Sequence, residues 1–325
     1  MSGFISIFLL MASLVSCGSN KDQSAQRAEV SDRSETNTVV ALENIFNADS
    51  AYAYVEKQVS FGPRVPGTKA HKETGDWLSA ELKRHGASVT EQKGPVTTFD
   101  GTRLELRNIF GQFNPDSDDR ILLLAHWDCR PWADQDAEPT NHDVAVDGAN
   151  DGASGVGVLM EVARQLEKAG VKKGVDILFV DVEDWGTDGD EDSWALGTQY
   201  FVANPPVANY APAGAILLDM VGGKDATFYR EYFSEQSAPA ISDAIWSTAA
   251  RLGYGDTFPN RVGSAVTDDH VQLIKGGIPA IDIIEFNPST GFNPRWHTVE
   301  DNMDGIDPNT LSAVGHTVME YLKNR

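Results

Sequence analysis

Short, almost wholly apolar runs separated by amphipathic stretches constrain this chain most. Ile121-Leu122-Leu123-Leu124-Ala125, Val175 to Val180, Ala215 to Leu218 and Ala280 to Ile284 carry apolar side chains at nearly every position. A strand of that kind must be covered on both faces, as in a parallel sheet held between two helical layers. Between the runs the spacing becomes helical: residues 152–169 place Val156, Leu159, Val162, Ala163 and Leu166 on one face. Asp307-Pro308 opens a last helix with Leu311, Val314, Val318 and Leu322 inward. Further helices are expected after Asp49-Ser50 and at 69–85, 194–203, 237–252 and 269–275, and further strands at 88–92, 95–99 and 103–110. The expected fold class is α/β, a three-layer sandwich with a mostly parallel, mixed central sheet flanked by helices. Ligands on such sheets sit beyond the carboxyl ends of the strands.

The chain has 325 residues, of which 41% are apolar, with no internal repeat. That is enough to build a substantial core, and residues 42–325 read as a single catalytic domain. Its net charge of −22 argues against a nucleic-acid partner, which needs a basic patch to replace phosphate counterions. Its two cysteines, Cys17 and Cys129, rule out a disulfide scaffold and a Cys-rich zinc site.

Residues 4–15, FISIFLLMASLV, are too short to span a bilayer comfortably, which takes about 20 apolar residues. They read as the core of an export signal. Leu14-Val15-Ser16-Cys17 resembles a bacterial lipobox, although residues 1–3 lack Lys or Arg. The expectation is a lipoprotein signal over 1–16, lipidation at Cys17, and a polar flexible tether over 17–41. It implies an exported bacterial lipoprotein, facing the periplasm or anchored in the outer membrane, that meets the membrane only through its lipid. An uncleaved membrane anchor is the alternative.

Each buried run ends in acids or histidine. His126 and Asp128 follow the first, Asp181, Glu183 and Asp184 the second, and Asp219 the third. Asp151 precedes the helix at 152–169, and His297 stands between Trp296 and Thr298. Taken singly, each acid reads as a cap or a solvated loop residue. Gathered at sheet ends, carboxylates repel one another unless a cation holds them. Imidazole and carboxylate donors without thiolates suit zinc or a similar divalent metal. Rival chemistries fail: Gly152-Ala153-Ser154-Gly155-Val156 lacks the second glycine of a nucleophile elbow, and Gly148 to Gly157 lacks the order of a phosphate-binding loop. Cys129 has no local support as a nucleophile.

Ala125-His126-Trp127-Asp128, Gly148 to Gly155, Asp181-Val182-Glu183-Asp184, Leu218-Asp219 and Trp296-His297-Thr298 occur in the order found in the zinc-dependent aminopeptidase superfamily, which the chain resembles over roughly residues 45–325. Within it, the chain is more similar to glutaminyl-peptide cyclotransferases of the animal-like type, which some bacteria carry, than to the peptidases. Asp268-Asp269-His270 resembles a cyclase segment where peptidases commonly have serine first, and Trp296 directly precedes the metal histidine. The segment from Glu183 through Asp192-Ser193 to Gly197 also aligns without a gap. Three features depart from the cyclase pattern: Asp184 replaces a glutamate, Gly189 stands where a tryptophan is usual, and Asp282 replaces a histidine.

The resemblance implies zinc held by Asp151, Asp184 and His297, with Glu183 moving protons inside an acidic network with Asp219 and Asp268. It implies that Trp296 binds the substrate side chain, and that His126 and Asp128 support the site or belong to a second metal. One Zn2+ is expected, with two left open. The reaction implied is cyclisation of an N-terminal glutamine of a peptide or protein to pyroglutamyl with release of ammonia. The runner-up is a zinc aminopeptidase with one or two metals, and the third reading is a metal-binding lipoprotein without catalysis. The oligomeric state is not legible.

Overall fold

The structure, a computed structural model, describes residues 44–325. The expected signal, tether, lipidated Cys17 and domain start at residue 42 lie outside the described residues. The sheet has six strands in the order β1-β2-β4-β3-β5-β6. They are β1 (Ser88–Thr97), β2 (Arg103–Phe113), β3 (Arg120–His126), β4 (Gly174–Val180), β5 (Ala215–Asp219) and β6 (Ala280–Ile284). The four apolar runs form β3 to β6, which pair in parallel, while β1 and β2 add antiparallel to the β4 side. This is the three-layer α/β architecture expected from the sequence.

Alternation along the strands supplies both helical layers. Leu123, Phe179 and Leu218 point into one core, which they share with α1 (Ala48–Val59), α2 (Lys69–Arg84), α3 (Ala153–Ala169) and α8 (Pro308–Asn324). Leu124, Leu178 and Leu217 point into the other, against Phe201 of α4 (Leu196–Ala203) and Leu273 of α7 (Asp269–Lys275). Each fully buried leucine contributes roughly 1.5–3 kcal/mol.

Some boundaries differ from expectation. The expected strands 88–92 and 95–99 are one strand, β1, which runs through Pro95; β1 lies at the sheet edge, where a missing N–H costs no ladder bond. The expected helix 237–252 is two, α5 (Tyr232–Ser237) and α6 (Pro239–Arg251). Pro239 bars Ala238 from the helical region, and Ala238 sits at φ −137°, ψ 54°. The helix expected from 194 starts at Leu196, because Ala195 is left-handed at φ 56°. A small hairpin, β7 (Phe286–Asn287) with β8 (Gly291–Phe292), was not foreseen.

From β3 the chain crosses through α3 to β4 on one side, while β5 pairs with β3 on the other. The strand order therefore diverges at the adjacent ends of β3 and β5, where His126 and Asp219 stand, and such a switch point opens a crevice. Helix α3 approaches it closely. A Cβ on Gly155 would lie 2.0 Å from the Leu218 carbonyl oxygen, and one on Gly152 would lie 2.3 Å from His126 Nε2. Gly155→Ala is therefore expected to lower stability by about 1–3 kcal/mol through overpacking. An unchanged denaturant midpoint would contradict that close approach.

Candidate active site

Loops at the carboxyl edge of the sheet bring the expected residues together. Ligand atoms of Asp151, Asp184 and His297 all lie within 4.8 Å of one another, and so do those of His126, Asp151 and Asp219. Left-handed backbone occurs at the ligand His297 (φ 54°) and at two non-glycine residues near other ligands, Val182 (φ 53°) and Met220 (φ 48°). Such conformations cost free energy and persist where surrounding structure holds them, often at functional sites.

His297 Nε2 stands 3.1 Å from Asp184 Oδ1 and 3.6 Å from Asp151 Oδ2. Both Asp184 oxygens are buried without a hydrogen-bond partner, while His297 Nδ1 faces Asp134 Oδ1 at 3.3 Å and so turns Nε2 toward the other ligands. Leaving buried carboxylate oxygens unsatisfied is costly unless they coordinate something. Carboxylate and imidazole donors converging on one point, with two orphaned oxygens, fit a zinc ion.

Backbone anchors hold these ligands. Asp128 accepts from the N–H groups of Glu183 and Asp184, each at 3.2 Å, and joins neither ligand group. Asp301 accepts from the N–H groups of Asn150 (2.8 Å) and Asp151 (3.1 Å). Arg130 donates to the carbonyls of Asp184 and Gly186. Asp301 and Arg130 were not anticipated: Asp301 is an acid beside another acid, and its partner Asn150 is 151 positions away.

His126 Nε2 lies 2.8 Å from Asp151 Oδ1 and 3.2 Å from Asp219 Oδ1. Burial alone would lower its pKa, but Asp128, Asp151 and Asp219 outweigh that and raise it well above the ordinary value. A protonated His126 so placed would neutralise much of the repulsion between these two aspartates.

Glu183, Asp219, Asp268 and Trp296 line a cavity of about 280 Å³ that also reaches Asp151, Asp184 and His297. Burial, then the Asp268 and Asp184 charges, push the Glu183 carboxyl well up. Burial, then Asp151, push Asp219 up to about 6. Burial, then Asp219, raise Asp268 strongly. Asp268 is also the N-cap of α7, accepting from the Asp269 N–H through one oxygen, while its Oδ2 is buried without a partner. Asp268 thus both caps α7 and lines the cavity.

The other wall is aromatic. Trp296 stacks on His297 at 3.8 Å, and Phe292 of β8 stacks on Trp296 at 4.4 Å. Trp194 lies near-parallel to His297 at 6.2 Å and lines the cavity. Gly189 also lines it. Trp194 was visible only as a tryptophan near the Glu183 segment; its reach into the cavity was not. Cys129 is fully buried, and burial pushes its thiol up to about 12, so it is inert as a nucleophile.

Comparison with known proteins places this geometry. The sequence description of peptidase family M28 matches residues 108–322. A glutaminyl cyclase from Porphyromonas gingivalis is 52% identical with a TM-score of 0.85, over 87% of this chain and 99% of that one. A Zn-dependent exopeptidase from Parabacteroides distasonis is 53% identical with a TM-score of 0.84, over 86% and 99%. Aminopeptidase YwaD of Bacillus subtilis is 26% identical over 276 residues, 82% of this chain but 54% of that protein's length. The chain thus spans about half the length of that curated relative.

Proposed function

We propose that this chain, which belongs to peptidase family M28, is a zinc-dependent glutaminyl-peptide cyclotransferase. The observation that carries this reading is a single cavity holding Glu183, Asp219 and Asp268, all buried, against the aromatic wall of Trp296. It suits a substrate that must be folded and made to react with itself, without a positioned water. The likeness to a protein named glutaminyl cyclase at 52% identity supports it.

In this reading Asp151, Asp184 and His297 hold the metal. Bound there, zinc supplies Lewis acidity to the γ-amide carbonyl of the glutamine. Trp296 packs on the glutamine side chain and fixes it for attack by its own α-nitrogen. Glu183 takes a proton from that nitrogen as the new N–C bond forms. It returns the proton to the amide nitrogen as the old C–N bond breaks and ammonia leaves, so the proton count closes. A carboxyl raised by burial and neighbouring charge can both accept and give a proton near neutrality. Asp268 and Asp219 extend the acidic network beside it, and Asp128 holds the backbone under Glu183 and Asp184.

A zinc aminopeptidase is the second reading, favoured by the separate convergence of His126, Asp151 and Asp219. Against it, the contacts of His126 Nε2 with both aspartates let the imidazole balance their charge, which favours one metal. Incubating the protein with a peptide that begins with glutamine and following ammonia tests the proposal. One ammonia per peptide, abolished by chelation and restored by zinc, is expected, and no ammonia contradicts it.

The apolar run at 4–15 and Leu14-Val15-Ser16-Cys17 support export and lipidation at Cys17. Among the described residues no helix is long and apolar enough to cross a membrane. Cys17→Ser is expected to move the protein from the membrane to the soluble fraction of lysed cells; unchanged membrane fractionation would contradict lipid anchoring.

A further inference from the structure

The geometry points to a second cation site, behind Asp268, that takes a zinc-like divalent ion through Asp268, His270 and Asp282. Asp268 caps α7, His270 lies in its first turn, and Asp282 sits in the middle of β6. One ligand atom from each lies within 4.8 Å of the other two. His270 and Asp282 are 0% exposed and Asp268 is 4% exposed. His270 Nδ1, Asp268 Oδ2 and both Asp282 oxygens are buried with no hydrogen-bond partner. Buried polar atoms are rarely left so, and a cluster of them needs a shared partner.

The surroundings of His270 say what that partner is. Its Nε2 lies 3.1 Å from Glu231 Oε2. Glu231 is itself fixed, accepting from the N–H groups of Phe233, Ser234 and Val266 and from the Ser234 hydroxyl. A carboxylate held this way keeps the imidazole proton on Nε2 and leaves the Nδ1 lone pair free, which is how metal-binding histidines are oriented. Nδ1 then faces Asp282 Oδ2 at 3.6 Å. That is too long for a hydrogen bond. It matches two ligands of one tetrahedral zinc, which lie about 3.3–3.6 Å apart for bonds of about 2.0–2.2 Å. Asp282 is also surrounded by the carboxyls of Asp268, Asp219, Glu231 and Asp269, so a cation is electrostatically favoured. Two carboxylates and one imidazole repeat the donor set of Asp151, Asp184 and His297.

The way in is the cavity, which Asp268 lines. An ion held there engages Asp268 and withdraws it from the network beside Glu183. Zinc beyond the catalytic equivalent therefore slows turnover. This consequence rests on the proposed cyclase reading, whereas the site itself does not.

Anomalous diffraction at the zinc edge, from crystals equilibrated with excess zinc, tests the site in the unaltered protein. A peak enclosed by Asp268, His270 and Asp282, besides one at His297, is expected. Zinc confined to the His297 or His126 groups overturns the proposal. In solution, equilibrium dialysis with metal analysis should give Asp282→Asn and His270→Gln one zinc fewer than wild type, and equal content overturns it. With a glutamine peptide, Asp282→Asn should need at least tenfold more zinc for half-inhibition than wild type. If no zinc concentration supports turnover, the cyclase reading fails, and diffraction and metal content still decide the site.

Discussion

Glu183→Gln is expected to lower kcat by about 10²–10⁴-fold, the usual contribution of a positioned proton-transfer group. The substitution keeps the shape of the side chain and removes only its ability to take and return a proton. The backbone under it stays anchored, because Asp128 binds the N–H groups of residues 183 and 184. Zinc content should not change, since Asp151, Asp184 and His297 are untouched. Stability should not fall either: burial and the Asp268 and Asp184 charges already disfavour an ionised carboxyl at this position, and a neutral amide escapes that repulsion. Kinetics, metal analysis and a thermal melt on one preparation check all three. Full activity in the variant would remove Glu183 from proton transfer.

His297→Ala has the second large effect. It deletes the only imidazole in the Asp151, Asp184 and His297 group and so removes one of its three ligands. The tightly held zinc should be lost on dialysis and activity should fall to background. His126→Ala is the informative contrast. If His126 balances Asp151 and Asp219 from outside the metal's ligand set, its loss should cost about 10–100-fold in activity or metal affinity and leave the main site able to bind zinc. Complete zinc loss from His126→Ala, with retention in His297→Ala, would reverse the two roles.

The layers and the site edge were legible because their causes are local. Ile121 to Ala125 must be buried on both faces, so β3 could be read from five consecutive letters, and the acids after each run marked the edge. Boundaries set by a single backbone angle were less legible. Pro239 splits a continuous helical pattern, and Ala195 turns left-handed and starts α4 two residues late. The site's supports were hidden for a different reason. Asp301 holds the backbone of Asn150 and Asp151 across the whole second half of the chain, and nothing near residue 301 announces that partner. Trp194 reaches the cavity only through the path of the loop after Asp184. Asp282 was visible as a polar residue in an apolar strand, but its convergence with His270 follows from where α7 packs against β6.

The most direct test gives the zinc-loaded protein two peptides identical except for the first residue, glutamine or leucine, and follows both by mass spectrometry. The glutamine peptide is expected to lose ammonia and keep its length while the leucine peptide stays unchanged. Release of free leucine, with the glutamine peptide left open, would contradict the cyclase reading and make the chain an aminopeptidase.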